Sequence, residues 1–285
     1  MGTRIGMREL ISSYTEEKRQ SERFDVWLYH VGRRLSWPVA WVAINVGISA
    51  TTVTFISALF VWAGALLIAV GNPVWQLIGA LMFQLWIIFD CADGTIARAT
   101  GTGSKRGEYA DAFGGYSVSL MLYSSMGVAA ARTALELDTV IPRIWEGLSG
   151  TLGPSAHSTE DVLVAGALLL SGVGASLLSL FSRLLYQKFL NIYAEHASAA
   201  EPIKPRHDRG NLAMVLAQNL AANSGFALPL SIAALASGRE DVFVLAYLLI
   251  NAAMLALTIR RTLTKRAAAR MQSATNSAVD TGAAE

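Results

Sequence analysis

Long apolar segments with very few charged positions dominate this chain. Residues 35–89 contain no Asp, Glu, Lys or Arg, and shorter charge-free segments cover 112–131, 162–182, 211–238 and 242–259. Each is near or above the roughly 20 residues that a helix needs to cross a bilayer. If the first segment is divided at the Gly71-Asn72-Pro73 turn, the pattern predicts six spanning helices, at 50–70, 74–98, 108–132, 160–188, 211–236 and 241–262.

The N-terminal part has a different pattern. Over residues 7–34, apolar positions recur at helical spacing between basic ones, which predicts an amphipathic helix. Such a helix lies either in the membrane interface or against the protein's own cytoplasmic surface. Pro38 favours the start of a second helix near Ser36, and Gly47-Ile48-Ser49 is expected to interrupt the chain before the first span.

Composition supports a membrane fold. Of the 285 residues, 53% are hydrophobic and only 15% are charged, which excludes an ordinary soluble domain. The single cysteine, Cys91, excludes an intrachain disulfide and is interpreted as a packing residue. The predicted fold is an all-α integral membrane protein with six transmembrane helices and an N-terminal amphipathic interfacial helix, and no nucleic-acid partner is expected.

The distribution of charge predicts the orientation. With six spans both termini lie on one side, and 20 of the 23 Lys and Arg residues fall on that side. By the positive-inside rule this side faces the cytoplasm. We therefore expect a multi-pass protein of the cell's inner (plasma) membrane, in three parts: 1–49 cytoplasmic and interfacial, 50–265 the six-span domain, and 266–285 a largely disordered tail. A long loop at 133–160 faces away from the cytoplasm.

The candidate chemistry lies in residues 90–111, DCADGTIARATGTGSKRGEYAD. Three carboxylates, Asp90, Asp93 and Asp111, stand beside two helix ends in apolar surroundings, where an ionised group is costly and indicates a working site. Oxygen ligands favour Mg²⁺, Mn²⁺ or Ca²⁺ over zinc. Arg98 presents donors suited to phosphate, and Gly94 leaves the backbone open beside them. We expect the two helix ends to converge these groups at the cytoplasmic edge of the membrane.

This spacing resembles the CDP-alcohol phosphotransferase (CDP-alcohol phosphatidyltransferase) family, whose signature is D-x2-D-G-x2-A-R-x8-G-x3-D-x3-D. Seven signature positions match in type and spacing: Asp90, Asp93, Gly94, Ala97, Arg98, Gly107 and Asp111. The segment GISATTVT at 47–54 is similar to a looser family motif. The resemblance covers roughly 33–265, and its specificity lies in 90–111.

The last signature position departs from the family. Gly115 stands where the resemblance implies a fourth aspartate, which would bind metal and act as general base. A positioned base contributes about 10²–10⁴-fold to a rate. Gly115 is compatible with an active divergent enzyme, with a member that binds CDP-lipid without turnover in a scaffold role, or with an inactivated variant. Glu108 is the nearest spare carboxylate, although an exposed acid favoured by the helix dipole explains it as well.

The resemblance implies a metal-dependent transfer of a substituted phosphoryl group. Asp90, Asp93 and Asp111 would be metal ligands and catalytic residues, while Gly94, Ala97, Arg98 and Gly107 would contact the cytidine and phosphates. A CDP-linked donor, CDP-diacylglycerol in bacterial relatives, would react with an alcohol acceptor and release CMP, with Mg²⁺ or Mn²⁺ as cofactor. Membrane lipids and a second copy, in a homodimer, are the implied partners. A transporter is an alternative from another class, because intramembrane acids also mark ion paths.

Polar residues in the later spans are candidates for selecting the acceptor alcohol. These are Arg183, Gln187, Gln218, Asn219, Asn223 and Ser224. Hydrogen bonds between helices are the alternative explanation. Lys105 and Arg106 are either further phosphate contacts or ordinary basic residues of a cytoplasmic loop.

Overall fold

Helices supply all the regular secondary structure in the computed structural model, which describes residues 5–135, 159–196 and 212–263; these ranges contain no strand. In chain order the helices are α1 (Met7–Ser12), α2 (Glu16–Glu22), α3 (Arg33–Val46), α4 (Ala50–Val70), α5 (Pro73–Thr100), α6 (Lys105–Ala134), α7 (Thr159–His196), α8 (Leu212–Ala221), α9 (Leu228–Ser237) and α10 (Glu240–Leu263). Short π-helical turns, Leu28–Gly32 and Asn223–Ala227, precede α3 and α9. The predicted 266–285 tail, and most of the predicted 133–160 loop, lie outside the described residues.

Within the described residues, four helices are long and apolar enough to cross a membrane, and they confirm the all-α membrane class. They are α4, α5, the Thr159–Phe189 part of α7 and the Glu240–Arg260 part of α10. A fifth crossing is possible if α8 and α9 form one span, because Val215–Ala221 and Asn223–Ser237 pass the same test together although they are bent by 69°. The protein is therefore a multi-pass membrane protein.

The third predicted span, 108–132, lies within helix α6, which is not among the helices apolar enough to be spans. α6 packs against α4, α7 and α10 and buries serine and glycine residues such as Ser117, Ser119 and Gly127. A helix enclosed by other helices needs little apolar surface toward lipid, so its sequence need not be strongly hydrophobic. Six spans therefore remain a prediction.

The N-terminal segment differs from the continuous helix predicted at 7–34. It is divided into α1, α2 and the π-helical turn. Leu10 of α1 is fully buried in a cluster that includes Ala43 of α3 and Ile96 of α5. This packing is the behaviour expected of a segment docked on the protein's own surface, whereas an interfacial position is still untested.

The predicted start of a second helix at Ser36 is wrong, because Pro38 lies inside α3. The helix continues directly from the π-helical turn that precedes it. Pro38 is the sixth residue of α3 and follows further helical backbone, and because it has no backbone N–H it removes one hydrogen bond from the interior of the helix. The predicted interruption at 47–49 is confirmed: Gly47 ends α3 in the left-handed conformation with φ of 85°, and the Ser49 hydroxyl caps α4.

Glycines allow the closest helix contacts. A Cβ atom on Gly172 of α7 would lie 2.5 Å from the Cα of Gly127 in α6, and the converse distance is 2.9 Å. Since real Cβ atoms do not approach so closely, only glycine fits this crossing. The interpretation of these two residues as helix-packing sites is confirmed.

A tight turn brings the end of α5 back to the start of α6. Gly101 ends α5 with φ of 65°, and the Thr102 amide donates to the Ala97 carbonyl oxygen at 3.0 Å. The Ser104 hydroxyl then caps α6 by accepting from the Gly107 amide at 3.1 Å. This pair of caps folds the chain back within a few residues, so that the two halves of the 90–111 motif meet.

Candidate functional site

All seven matched motif residues line one cavity of about 320 Å³. We call it the acidic cavity, because five acidic side chains also line it: Glu22, Asp90, Asp93, Glu108 and Asp111. Asp90 to Arg98 reach it from the last turns of α5, while Gly107 to Asp111 reach it from the first turns of α6. The convergence expected from spacing is therefore present in the fold.

The three motif carboxylates occupy different surroundings. Asp93 is 7% exposed, and its Oδ2 atom accepts a hydrogen bond from the Thr54 hydroxyl of α4 at 2.6 Å. Asp90 is half-buried and faces the Asp111 carboxyl within hydrogen-bonding range. Asp111 is exposed toward the opening. Like charges brought so close repel strongly, so this arrangement favours a bound cation or a shared proton.

The donor set suits a hard divalent cation in its chemistry, since carboxylate and hydroxyl oxygens are the ligands that Mg²⁺ and Mn²⁺ prefer. The carboxyl groups of Asp90 and Asp111 face each other within hydrogen-bonding range. Within the described ranges, however, no three His, Cys, Asp or Glu side chains are close enough together to hold a metal ion. The hydrogen bond from Thr54 directs one Asp93 oxygen toward α4. A three-carboxylate ligand set would therefore need Asp93 to turn from Thr54 toward the facing pair.

Arg98 folds back along α5 over Gly94. A Cβ atom at Gly94 would lie 3.1 Å from the Arg98 Nη1 atom, so the missing side chain leaves room for the guanidinium. The Nη2 atom donates to the Thr95 hydroxyl at 3.3 Å. Arg98 itself is largely exposed to the cavity and keeps donors available for an anion. Lys105 and Arg106 do not line the cavity.

Several residues of this cavity were not found from the sequence. Thr54 lies in the 47–54 segment, whose resemblance to a family motif was the only signal for it. Lys18, Glu22 and Arg33 come from the N-terminal segment and carry no motif, so spacing could not assign them to the site.

A buried ion pair joins two of these N-terminal residues. The Arg33 Nη2 and Nε atoms donate to the two carboxylate oxygens of Glu22 at 2.6 and 2.9 Å. Burial alone would raise the pKa of Glu22, but the hydrogen bonds and charge of Arg33 outweigh it and hold that pKa below its ordinary value. Burial and the Glu22 charge together raise the pKa of Tyr14, whose hydroxyl donates to Glu22 at 2.9 Å.

A second cavity of about 240 Å³ lies one helical turn along from the acidic cavity. It is lined by Trp86, one turn before Asp90 on α5, and by Arg183 of α7. The Arg183 Nη1 atom donates to the Gly115 carbonyl oxygen at 2.8 Å, and Gly115 lies one turn after Asp111 on α6. Residues four apart share a helix face, so the two cavities are neighbours along both helices.

Because Gly115 has no side chain, the Arg183 guanidinium can lie against its backbone. A Cβ atom at Gly115 would lie 3.1 Å from Nη2 and 3.6 Å from Nη1 of that guanidinium. Any larger side chain there would therefore press against Arg183. At the position where the sequence analysis expects a fourth aspartate, the guanidinium of Arg183 lies over the Gly115 backbone.

Hydrogen-bond donors surround the second cavity, which we call the donor cavity. Arg183 Nη1 also donates to the Ser119 hydroxyl at 3.0 Å, and Asn223 Nδ2 donates to the same oxygen at 2.6 Å. The Trp86 Nε1 and Asn251 Nδ2 atoms are buried and have no hydrogen-bond partner among the residues that the structure describes. The described residues that line this cavity include no Asp or Glu. Unpaired buried donors are costly, so the cavity suits an anion or a ligand rich in hydrogen-bond acceptors.

The other candidates for acceptor selection divide into two groups. Asn223 and Ser224 line the donor cavity, whereas Gln187, Gln218 and Asn219 do not. Asn219 instead accepts from the Val26 amide at 2.7 Å and donates to the Phe24 carbonyl oxygen at 2.6 Å. For Asn219 the structural explanation is the supported one, because its side chain fastens the N-terminal segment to α8.

Comparison with known proteins agrees with the geometry. Residues 47–145 match the model of the CDP-alcohol phosphatidyltransferase family. The resemblance drawn from the 90–111 spacing is thereby confirmed for this part of the chain, about a third of its length. The family consists of phosphotransferases that act in lipid synthesis on CDP-alcohols. No curated protein matches the chain.

Proposed function

We propose that this protein transfers a substituted phosphoryl group from a CDP-linked lipid, CDP-diacylglycerol, to an alcohol that carries a negatively charged group, releasing CMP. The observation that carries the proposal is the convergence of all seven matched residues on the acidic cavity. The donor cavity, which adjoins it and contains Arg183, supports the charge assigned to the acceptor.

The CDP-linked donor would lie in the acidic cavity. Arg98 would contact its phosphate oxygens, since a guanidinium presents paired donors to phosphate. Gly94, Ala97 and Gly107 have little or no side chain, and they would let the nucleotide approach the backbone of α5 and α6. The acyl chains would extend from the cavity into the surrounding lipid.

Asp90, Asp93 and Asp111 would hold a divalent cation, Mg²⁺ or Mn²⁺, against the diphosphate. When bound, this ion neutralises charge on the phosphates and on the leaving CMP. The chain's own contribution is to keep the three carboxylates on two helices that a tight turn holds together. Asp93 would complete this set by turning from Thr54, whose hydroxyl holds one of its carboxylate oxygens in the structure.

The acceptor would bind in the donor cavity with its anionic group on Arg183. Trp86 and Asn251 would donate to its remaining oxygens, which gives the two unpartnered donors a ligand. The hydroxyl of the acceptor would then point along α6 from Gly115 toward Asp111. A neutral alcohol would leave the Arg183 charge without a ligand, so phosphorylated alcohols should be preferred.

In the reaction, the acceptor oxygen forms a bond to the β-phosphorus of the donor, and the bond from that phosphorus to the CMP oxygen breaks. The electron pair of the broken bond leaves on CMP. The hydroxyl proton goes to Asp111, the exposed carboxylate one turn from Gly115. Asp111 thus takes the general-base role for which Gly115 has no side chain.

The experiment is a CMP-release assay on the full chain in lipid nanodiscs with CDP-diacylglycerol. Glycerol 3-phosphate and an inositol phosphate are compared with glycerol, inositol and serine, each with Mg²⁺, with Mn²⁺ and with chelator. We expect release with a phosphorylated alcohol, dependent on the added ion. Binding of CDP without CMP release from any acceptor would contradict turnover and support the scaffold role instead.

A further inference from the structure

The N-terminal segment forms one wall of the acidic cavity. Lys18 and Glu22 of α2, Leu28 of the π-helical turn and Arg33 of α3 line the cavity together with Asp90 and Arg98. All four precede residue 47, where the family match begins. The family match therefore assigns no role to these four residues, although they line the same cavity as the motif residues. We call them the N-terminal wall.

The ion pair between Glu22 and Arg33 fastens this wall to α5. Both side chains are buried, with 8% and 5% exposure. Beyond its two contacts with Glu22, Arg33 Nη1 donates to the Cys91 carbonyl oxygen at 2.8 Å and to the Thr95 hydroxyl at 3.1 Å. Cys91 lies between Asp90 and Asp93. The guanidinium thus connects α2 directly to the helix turn that carries two motif carboxylates.

Lys18 lies one turn before Glu22 on α2, with its Nζ atom 3.3 Å from the Glu22 Oε1 atom. Its side chain is 46% exposed, so the ammonium group is held at the edge of the cavity and still meets solvent. Arg98 approaches the same cavity from α5. Lys18 and Arg98 therefore border, from two different helices, a space that five carboxylates also line.

We propose that Lys18 is a second phosphate-binding cation of the acidic cavity, and that Glu22 and Arg33 are positioning residues that hold it there. This inference rests on the proposed function for the identity of the ligand, a CDP-linked donor. A diphosphate carries more charge than one guanidinium neutralises, and a flexible ammonium can follow its second phosphate. The wall would then contribute to donor affinity and leave the chemical step unchanged.

Arg19 provides a matched control. It is the next residue on α2, it is 48% exposed, and it pairs with Glu16 at 3.4 Å. It does not line the acidic cavity. Lys18→Gln and Arg19→Gln remove the same charge from the same helix, so general effects on net charge, membrane association or helix stability should be equal in the two variants.

The experiment measures CDP affinity by calorimetry in neutral detergent, and the KM for CDP-diacylglycerol, for the native chain and its variants. We expect Lys18→Gln to weaken CDP binding and raise the donor KM about tenfold, the loss of one charge-assisted hydrogen bond. The kcat and the acceptor KM should stay nearly unchanged. Lys18→Arg should retain most of the affinity, and Arg19→Gln should behave as the native chain.

The positioning pair is tested by a double-mutant cycle on CDP affinity. If Arg33 acts by holding Lys18 in place, Lys18→Gln should cost much less in an Arg33→Met background than in the native chain. Additive losses would overturn the positioning role. Thermal unfolding of each variant shows whether Arg33→Met merely destabilises the fold.

Other outcomes separate this proposal from the enzymatic one. Equal CDP affinities for Lys18→Gln and Arg19→Gln, or no CDP binding by the native chain, would overturn the role of Lys18. A Lys18 effect that appears only with anionic lipid vesicles would assign it to lipid headgroups and also overturn the proposal. If CDP binding depends on Lys18 but no CMP is released, the phosphate-binding role of Lys18 would be supported and catalytic turnover would be refuted.

Discussion

The acidic cavity and the donor cavity lie one helical turn apart, yet their linings are opposite in character. The acidic cavity is lined by five acidic side chains and by three basic ones, Lys18, Arg33 and Arg98. The second has Arg183, amide and hydroxyl groups, and no acid among the described residues that line it. The carboxylates of the acidic cavity favour a cation, which can in turn bind a diphosphate. The unpaired hydrogen-bond donors of the donor cavity favour an anion. Two adjacent cavities, one that favours a cation and one that favours an anion, suit two different substrates that must react with each other. Neither substrate would bind well in the cavity of the other.

Gly115 marks the boundary between these two environments. A carboxylate at this position would extend the acidic cavity toward Arg183, whereas glycine leaves the guanidinium on the backbone oxygen. At this position a tertiary contact with Arg183 occupies the space that a side chain would need.

The largest expected effect is at the acidic cavity. Asp90→Asn should lower CMP release on the order of 10³-fold, because it removes a charged oxygen from the facing pair that would hold the divalent ion. CMP release with saturating acceptor measures it. Glu16→Gln, an exposed acid on α2 outside the cavity, should leave the rate unchanged, and equal rates for both variants would contradict the site.

The next effect concerns the donor cavity. Arg183→Gln should raise the KM of a phosphorylated acceptor by about 10–100-fold, which is the usual cost of losing a hydrogen-bonded charge. Preference over the neutral alcohol should shrink equally, while CDP affinity stays constant. Lys188→Gln, five residues further along the same helix and exposed, is the control. A changed CDP affinity with an unchanged acceptor KM would reverse the assignment of the two cavities.

A smaller effect is expected at the boundary. Gly115→Asp should lower kcat/KM for the phosphorylated acceptor by about tenfold, because the new carboxylate would pair with Arg183 and repel the anion. Gly115→Ala adds bulk without charge and should lose less. Acceptor kinetics of both variants provide the measurement. A large gain with aspartate would instead identify Gly115 as a lesion in an otherwise ordinary family site.

The smallest effect is the pH dependence of the N-terminal wall. Because the pKa of Glu22 is below its ordinary value, its pairing with Arg33, Lys18 and Tyr14 should be complete above about pH 5 and weaken only below about pH 4. Hydrogen exchange of 14–33, corrected for intrinsic rates, should be constant from pH 5 to 8 and rise in acid. Glu22→Gln should exchange faster throughout and lose this dependence; an unchanged profile would exclude Glu22 as its source.

The local pattern predicted the apolar helices well. The first predicted span, 50–70, coincides with α4, and 74–98 lies within α5. Hydropathy succeeds here because a helix that faces lipid must be apolar along its length. Hydropathy is less decisive for α6, which packs against other helices. It is also less decisive for the N-terminal segment, where the structure has several short helices in place of the one predicted.

The spacing of the 90–111 motif, with the hydropathy of the chain, was enough to predict the membrane class, the family resemblance over residues 47–145 and the two helix ends that form the acidic cavity. These depend on residues near each other in sequence, joined by one turn. Only the tertiary structure placed Arg183 on Gly115, 68 residues away, and Arg33 on Cys91, 58 residues away. Such contacts depend on how separate helices pack, and no local periodicity encodes which polar side chains will face each other across them.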